Sequence, residues 1–320
     1  MPSPKMNRDA GALACLLCAG ERLTESARLS GSDIRALWNA LGANIAPNAW
    51  DRLSETLSAV LWRCDACGFE FFNPDLAGGS RFYQCLESSD YYSPNRPEFT
   101  RTVQFAARQK LSNVLDVGCG IGAFLDMARD AGRRTYGLEF NPSAAAKARA
   151  KGHSIFDCLL DQLPKDACPG GFNLITLFQV LEHVQDPVAL MRQASARLAP
   201  GGVVSVAVPA KTGIYRFLPL DPAQWPPHHI SRWSRQDFKT LAARSDLQLV
   251  ASGGDMLLGS GIEHALRMRR VLNAAASKPP GLQPKLHPFQ KWFCLLYRKS
   301  GAKFIAPRWG YSIYAYFQKR

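Results

Sequence analysis

The stretch NVLDVGCGIGAF, residues 113–124, decides the fold of this chain. Its first five residues form a mainly apolar run of the kind that makes a buried strand, and three glycines follow at alternate positions. A strand that enters a glycine-rich turn and then a helix brings bare backbone close to a ligand. The stretch therefore predicts an α/β protein with a ligand site beside this turn.

Strand and helix signals alternate after the turn. A helix is expected from about residue 123 to 131, and short apolar strands follow at TYGLEF, FNLITLF, GVVSVAV and LQLVAS. Such alternation is typical of a parallel sheet that is covered by helices on both faces, with its ligand at the carboxyl ends of the strands. The last apolar segment, YSIYAYF (residues 311–317), is predicted as an antiparallel edge strand.

The glycine turn fits two ligand templates. Gly118, Gly120 and Ala123 match the dinucleotide fingerprint, whereas the three alternate glycines after Asp116 match the turn that holds S-adenosylmethionine. Asp116 favours the second template, because a carboxylate there would repel a pyrophosphate but could pair with the ammonium group of S-adenosylmethionine. Glu139, which ends the next strand, could accept both ribose hydroxyls of either ligand and does not choose between them.

Two further segments favour S-adenosylmethionine over a dinucleotide. FNLITLFQVLEHVQDP (residues 172–187) and ARLAPGGVVSV (residues 196–206) resemble the class I S-adenosylmethionine-dependent methyltransferases, in which a Leu-Glu-His segment often ends the fourth strand and Pro-Gly-Gly precedes the fifth. The resemblance runs from about residue 90 to 253. It implies a Rossmann-like, seven-stranded methyltransferase sheet with helices on both faces, and the last strand of the chain would be the seventh.

The resemblance also implies the residues that bind the cofactor. The glycine turn would hold the methionine part, Glu139 the ribose and Phe140 the adenine, and Gln179 would lie near the methyl group. Residues 156–160 would meet the edge of the adenine. The complete implied set is Asp116, Gly118, Cys119, Gly120, Gly122, Glu139, Phe140 and Gln179.

Two Cys-x-x-Cys pairs lie in the first 90 residues, Cys15 with Cys18 and Cys64 with Cys67. Four thiolates in two such turns suit a tetrahedral, structural Zn²⁺ site, and a redox dithiol is the rival interpretation. We therefore expect a small N-terminal zinc-binding cap. Between the pairs, SGSDIRALWNALG (residues 30–42) and NAWDRLSETLSAVLW (residues 48–62) are predicted as amphipathic helices.

The candidate catalytic residues are histidines. His228 and His229, in the segment PPHHISRW, are candidates for the base that removes the acceptor's proton, because histidine titrates near neutral pH. His183 is a third candidate. The bland alternative is that these side chains cap a helix or pack in the core. Tyr91 and Tyr92 are predicted to close the substrate side of the site, although they could equally be ordinary interdomain aromatics.

The cap, the Tyr-Tyr segment and the core together resemble bacterial methyltransferases of sugar and polysaccharide pathways. WRCDACGFEFFNP and PPHHISRWS carry this closer resemblance. It implies transfer of a methyl group to carbon or oxygen of a small-molecule or lipid-linked saccharide. The alternatives are a methyltransferase of RNA or protein, an NAD-dependent oxidoreductase with the same glycine turn, and a non-catalytic interaction protein that keeps the fold.

The formal net charge of +13 is concentrated near the end of the chain, because residues 264–320 contain twelve Lys and Arg and no acidic residue. This basic, aromatic segment could contact an anionic membrane surface or a substrate phosphate, and the bland alternative is a solvated insertion. Nucleic acid is not expected as a partner. No apolar run approaches the roughly 20 residues of a membrane span, so we expect a cytoplasmic protein, with membrane contact through the basic segment as an open alternative.

The predicted domain organisation follows from these features. Residues 1–90 would form the zinc-binding cap with a helical insertion, and residues 91–258 the S-adenosylmethionine-binding core. Residues 259–320 would contribute the basic aromatic insertion and the final strand of the core.

Overall fold

The computed structural model describes residues 13–50, 52–86, 96–255, 268, 271 and 310–320. Tyr91, Tyr92 and most of the basic segment lie outside the described residues, so the predictions made for them stay predictions. The described strands, in chain order, are β1 (Leu23–Ser30), β2 (Ser58–Cys64), β3 (Glu70–Phe71), β4 (Asn113–Val117), β5 (Arg134–Leu138), β6 (Ser154–Phe156), β7 (Phe172–Phe178), β8 (Leu198–Pro209), β9 (Ser231–Arg232), β10 (Leu247–Gly254) and β11 (Ser312–Lys319).

Seven α-helices accompany these strands in the described part of the chain. They are α1 (Gly31–Ala40), α2 (Ser80–Cys85), α3 (Pro97–Arg108), α4 (Ala123–Asp130), α5 (Pro142–Ala150), α6 (Pro187–Arg197) and α7 (Asp237–Arg244). Local chemistry fixes several of their starts. Asn141 caps α5 by accepting hydrogen bonds from the backbone N–H groups of Ser143 and Ala144, and Pro142 occupies the first turn.

The core is one seven-stranded sheet with the order β10-β11-β8-β7-β4-β5-β6. The five strands from β8 to β6 run parallel to their neighbours, whereas β11 is antiparallel to both β10 and β8. The predicted architecture, a Rossmann-like seven-stranded sheet in an α/β protein, is confirmed. The predicted edge position of the last segment is wrong, because β11 lies inside the sheet, where Ile313, Ala315 and Phe317 are buried.

Helices cover both faces of this sheet. Leu174 and Phe178 of β7 belong to the same buried cluster as residues of α3 and α4, whereas Ile175 and Leu177 belong to the cluster that contains residues of α6 and α7. Side chains of a strand alternate between faces, so β7 is apolar on both sides. This explains why its sequence reads as a continuous apolar run rather than an alternating one.

The N-terminal region contains a second sheet, with the order β1-β2-β3-β9. The predicted helix over residues 48–62 is wrong, since only a short 3₁₀ turn at Pro47–Ala49 is helical there and β2 occupies the second half. In β2, Ala59 and Leu61 are buried while their neighbours are more exposed, which is the period of a half-buried strand. The predicted helix over residues 30–42 is confirmed as α1, and Ser30 and Asp33 form its capping box.

The strand β9 ties the cap to the core. It pairs with β3 of the cap sheet, although its residues come from the segment after β8 of the core. Neighbouring backbone bonds reinforce the junction: Phe72 N–H donates to the Ile230 carbonyl, and Gly78 N–H donates to the Pro227 carbonyl, both at 2.8 Å. The segment that carries His228 and His229 is therefore held between cap and core.

Candidate functional site

A cavity of about 930 Å³ opens at the carboxyl ends of the parallel strands. The last residues of β4, β5, β7 and β8 all line it. The remaining wall comes mainly from cap residues 77–84, the start of α3, and residues 223–229. The cavity therefore lies where ligands bind in open α/β sheets, and the cap closes one side of it.

The glycine turn borders this cavity. Gly118, Gly120 and Gly122 have φ angles of +75°, +53° and +78°, a backbone region that side chains rarely adopt. The N–H groups of Gly118 and Cys119 both donate to the Leu138 carbonyl, at 2.8 and 3.1 Å, which holds the turn against β5. Of the four turn residues that the sequence predicted for the cofactor, Gly118 lines the cavity.

Glu139 lines the cavity immediately after β5. Its Oε2 accepts a hydrogen bond from Gly120 N–H at 2.8 Å, and its Oε1 accepts one from Asn141 N–H at 2.7 Å. Burial raises the pKa of this carboxyl, while the backbone N–H donors oppose the shift. Each oxygen keeps a second lone pair, so the carboxylate is fixed in place and can still accept hydrogen bonds from a ligand.

Phe140 and Gln179, also predicted for the cofactor, line the same cavity. Gln179 has a φ of +56°, and its Nε2 donates to Glu98 Oε1 at 3.3 Å and to Ser312 Oγ at 3.2 Å. Residues 158–160 contribute another part of the wall, within the segment 156–160 that the sequence placed near the adenine. Four of the eight predicted cofactor residues, Gly118, Glu139, Phe140 and Gln179, therefore line one cavity.

Asp116 does not belong to the cavity wall. It is 4% exposed, and its Oδ1 accepts a hydrogen bond from Thr176 Oγ1 at 2.6 Å. Burial raises the pKa of Asp116 to about 7, against the opposing effect of that hydrogen bond. Cys119, Gly120 and Gly122 also lie outside the wall, and the Cys119 side chain packs behind the turn, where a methyl group at Gly137 would come within 2.5 Å of its Sγ.

The three candidate catalytic histidines gather at the cap side of the cavity. The ring centroids of His183, His228 and His229 lie 4.5 to 4.8 Å apart. Burial lowers the pKa of His183 to about 3 and that of His228 to about 4, and burial together with its histidine neighbours holds the pKa of His229 well below its ordinary value. The three imidazoles are therefore uncharged at neutral pH.

Three wall residues were not singled out from the sequence. Glu182 is 1% exposed, and neither of its carboxylate oxygens has a hydrogen-bond partner in the part of the chain that the structure describes. Burial raises its pKa to about 8. The Tyr83 hydroxyl lies 3.0 Å from Nδ1 of His183, and Arg96 lines the wall at the start of α3. Glu182 lies inside the Leu-Glu-His segment, but Tyr83 and Arg96 carry no sequence signal.

The wall is acidic. Among its described residues, Arg96 is the one Lys or Arg, whereas six carboxyl side chains contribute: Glu98, Glu139, Asp161, Glu182, Asp186 and Asp255. Such a wall favours a cationic ligand over an anionic one. The wall residues that the structure describes give no cationic cradle for a pyrophosphate.

The four cysteines of the two Cys-x-x-Cys pairs meet in the cap. Cys15 Sγ lies 3.6 Å from Cys67 Sγ, and Cys18 Sγ lies 3.5 Å from Cys64 Sγ. Tetrahedral coordination with Zn–S bonds of about 2.3 Å separates the sulfur atoms by about 3.8 Å, so this donor set fits one Zn²⁺ ion.

The two cysteine turns repeat the same backbone pattern. Ala19 N–H donates to the Cys15 carbonyl, and Gly68 N–H donates to the Cys64 carbonyl. Ala19 and Gly68 occupy equivalent left-handed positions, with φ of +62° and +75°. Alanine therefore takes the place in the first turn that glycine takes in the second, which explains why the first pair is the less obvious motif.

A family model described as a methyltransferase domain matches residues 91–252, just over half of the chain. An α/β sheet with a glycine turn and a cavity at its carboxyl edge is the architecture of a nucleoside-binding enzyme. The chain belongs to this methyltransferase-domain family.

Curated relatives and solved structures give further likenesses. The chain is 33% identical over 97 residues to the ubiquinone biosynthesis O-methyltransferase of Sodalis glossinidius (strain morsitans), covering 29% of this chain and 39% of the relative. It is 31% identical over 113 residues to a probable S-adenosylmethionine-dependent methyltransferase of Mycolicibacterium smegmatis, covering 34% and 44%. The matches thus span less than half of either relative.

Among solved structures, the chain is similar to the magnesium protoporphyrin IX methyltransferase of Synechocystis PCC 6803 with bound SAH. The TM-score is 0.44 at 14% identity, and the match covers 69% of this chain and 82% of that one. Separately, none of the described helices has the length and apolar character needed to cross a membrane.

Proposed function

We propose that this protein is an S-adenosylmethionine-dependent methyltransferase with a small-molecule acceptor. The observation that carries the proposal is the charge of the cavity wall, whose described residues include six carboxyl groups and one guanidinium. A dinucleotide would bring a pyrophosphate into this acidic wall. S-adenosylmethionine carries a sulfonium and an ammonium against one carboxylate, so its net positive charge suits the wall. Membership of the methyltransferase-domain family supports the same choice.

The residues present fit the cofactor. The carboxylate of Glu139, held by two backbone N–H groups, has lone pairs left for the two ribose hydroxyls. Phe140 would pack against the adenine, and Gly118 would let the methionine part approach the backbone. Gln179 would lie beside the transferred methyl group. Asp116, at the end of β4 before the turn, has a pKa raised to about 7 and would pair with the ammonium in its ionised form, together with the backbone of Cys119, Gly120 and Gly122.

When bound, the cofactor supplies an electrophilic methyl group on a positively charged sulfur. A lone pair or carbanion of the acceptor forms the new bond to the methyl carbon while the carbon–sulfur bond breaks, and S-adenosylhomocysteine leaves. The acceptor also loses a proton. His183, His228 and His229 are our candidates to receive it, because their rings are uncharged and lie in the wall. Burial lowers the pKa of each ring, so each is a weaker base than the histidine titrating near neutral pH that the sequence predicts.

We propose a saccharide as the acceptor, either a free small molecule or one linked to a lipid. The three uncharged imidazoles and the unpaired carboxyl of Glu182 offer many hydrogen-bond acceptors, which suits a ring that carries several hydroxyl donors. The O-methyltransferase names of the curated relatives favour oxygen as the atom methylated. Contact of the basic C-terminal segment with an anionic membrane remains a part of this proposal for a lipid-linked acceptor.

We propose further that the four cap cysteines hold one structural Zn²⁺ ion. Their sulfur spacing and the paired turns support this site. All four positions around the ion would be protein ligands, so the ion would hold the cap together and would take no part in methyl transfer.

The experiment uses S-adenosylmethionine with a labelled methyl group and extracts of source cells that lack this protein. After addition of the purified enzyme, the products are partitioned into aqueous small molecules, butanol-soluble lipids and precipitated macromolecules. Label in either of the first two fractions, absent with Glu139→Ala enzyme, is the expected result. Label confined to macromolecules would instead identify an RNA or protein methyltransferase. The absence of label from all three fractions would refute the proposal.

A further inference from the structure

The histidine cluster has a feature that the transfer reaction does not require. One ring nitrogen from each of His183, His228 and His229 lies within 4.8 Å of one from each of the other two. The side chains come from two separate segments of the chain, and all three line the same end of the cavity. A single general base needs one imidazole, so the convergence of three calls for a separate explanation.

Hydrogen bonds to backbone carbonyls fix which nitrogen of two rings carries hydrogen. Nδ1 of His183 lies 2.6 Å from the His228 carbonyl oxygen, and Nδ1 of His228 lies 3.1 Å from the Ala223 carbonyl oxygen. A carbonyl can only accept, so each Nδ1 is the donor and the lone pair of each ring is on Nε2. Histidines that ligate metals in proteins are held in this way, with the other ring N–H donated to a carbonyl or carboxylate.

Further buried polar atoms without hydrogen-bond partners among the described residues surround the three rings. Glu182 Oε1 lies 3.7 Å from His183 Nε2, which is too long for a hydrogen bond, and both Glu182 oxygens lack a partner among the described residues. His229 Nδ1 is likewise buried without a partner in that part of the chain. The cluster therefore contains buried nitrogen and oxygen atoms that have no hydrogen-bond partner in that part of the chain, and a bound cation would satisfy them.

We propose that His183, His228 and His229 form a binding site for one divalent transition-metal ion, and that this ion competes with the methyl acceptor for the same end of the cavity. Imidazole suits Zn²⁺, Ni²⁺, Co²⁺ and Cu²⁺. An ion about 2.1 Å from each nitrogen draws the three nitrogens to about 3.4 Å from one another, so each ring moves inward by less than about 1 Å. Binding of the metal ion does not depend on the proposed function, whereas competition with the methyl acceptor rests on it.

The experiment titrates Co²⁺ into the full-length protein after metal analysis has shown that the cysteine cluster is filled with Zn²⁺. We expect calorimetry to show one Co²⁺ per chain, with a visible spectrum that lacks the near-ultraviolet charge-transfer absorption of cobalt thiolates. His229→Gln is the sharpest variant, because His229 Nδ1 makes no hydrogen bond that the fold would lose. It should weaken Co²⁺ binding by at least about 100-fold.

His153→Gln is the matched control. This histidine is bonded to Asp126 and Thr135 and does not line the cavity, so its replacement should leave the affinity for Co²⁺ within about threefold. Absence of Co²⁺ binding, a thiolate absorption band, or an affinity that His229→Gln leaves unchanged would each overturn the site.

Competition is tested separately. Co²⁺ should inhibit methyl transfer in the active extract fraction, a chelator should restore it, and a higher acceptor concentration should relieve the inhibition. Stimulation by Co²⁺ would contradict competition. The two proposals fail in different ways, since a protein that binds S-adenosylhomocysteine but no Co²⁺ refutes only the metal site. A protein that binds Co²⁺ but no S-adenosylhomocysteine refutes only the proposed function.

Discussion

Replacement of Glu139 should weaken cofactor binding by an amount that can be worked from its hydrogen bonds. The carboxylate is already fixed by Gly120 N–H at 2.8 Å and Asn141 N–H at 2.7 Å, so little ordering remains when a ligand arrives. Two ribose hydroxyls donating to it would make two charge-assisted bonds, each of about 1.5–3 kcal/mol. Glu139→Ala should therefore raise the Kd of S-adenosylhomocysteine by about 100-fold to 10,000-fold.

Glu139→Gln provides an intermediate step. Its single amide oxygen can replace only one of the two carboxylate oxygens, and its NH₂ group would face one of the two backbone donors. We expect a Kd between those of the parent and Glu139→Ala, about 10-fold to 100-fold above the parent. The order parent, Gln, Ala is the signature of a carboxylate that binds through both oxygens.

Isothermal titration calorimetry with S-adenosylhomocysteine on the full chain measures these constants, and circular dichroism checks that each variant is folded. Asp255→Asn is the control, because Asp255 lines the same cavity but its carboxylate pairs with Arg101 at 2.9 Å. Its Kd should stay within about threefold of the parent. A folded Glu139→Ala protein that binds within threefold of the parent would refute the assignment of Glu139 to the ribose.

Three further predictions follow from other parts of the structure. Cys64→Ser should lose the bound Zn²⁺ and have a lower melting temperature than the parent. Cys85 lies outside the cluster, so Cys85→Ser should keep one Zn²⁺ per chain by metal analysis. One Zn²⁺ per chain in Cys64→Ser would contradict the four-cysteine site. Burial raises the pKa of Asp116 to about 7, so the folded parent loses stability relative to the unfolded chain as pH rises from about 4 to that value. Asp116→Asn lacks this ionisable group, and its free energy of unfolding in urea should therefore rise relative to that of the parent by up to about 4 kcal/mol between pH 4 and 8. A parent–variant difference that does not change with pH would refute this. Gly118→Ala should destabilise the fold by about 1–2 kcal/mol, since φ is +75° there, and should weaken S-adenosylhomocysteine binding as well; unchanged affinity would remove Gly118 from the cofactor site.

The parallel core could be predicted from local sequence because its signals agree with one another. The strand–turn–helix at residues 113–130 and the capped start of α5 at Asn141 each specify one local structure. Their order along the chain then favours a parallel sheet, because α4, α5 and α6 each form the crossover between two strands of the core. Residues at the ends of those strands meet at one edge by geometry alone, which is why the predicted Gly118 and Glu139 lie together.

The cap and the last strand depend on partners that are distant in sequence. Residues 58–64 are apolar enough for a helix, and only pairing with β1 shows that their period is two. The position of β11 inside the sheet follows from pairing with β8 and β10, more than fifty residues away. Strand pairing of this kind leaves no local mark, so an alternating segment at the end of a chain looks like an edge.

The candidate site could be predicted only in part, because some of its residues also meet through contacts that are distant in sequence. His228 and His229 stood out as an adjacent pair, but their meeting with His183 depends on long-range backbone hydrogen bonds from Ile230 and Ser231 to the Glu182 carbonyl. Glu182 belongs to the Leu-Glu-His motif of the sequence, but only the folded chain shows that its buried carboxyl group has no hydrogen-bond partner among the described residues. The acidic character of the wall likewise arises from carboxyl groups in five separate segments and cannot be read from a chain whose net charge is +13.

The most direct test of the account is a competition measurement on the purified, full-length protein. Equilibrium dialysis with labelled S-adenosylmethionine measures retention of the cofactor, with an excess of unlabelled S-adenosylhomocysteine or of NADH on the other side. We predict one cofactor bound per chain, displaced by S-adenosylhomocysteine and unaffected by NADH. Displacement by NADH, or no retention of S-adenosylmethionine at all, would contradict the claim that the glycine turn and its acidic cavity serve methyl transfer.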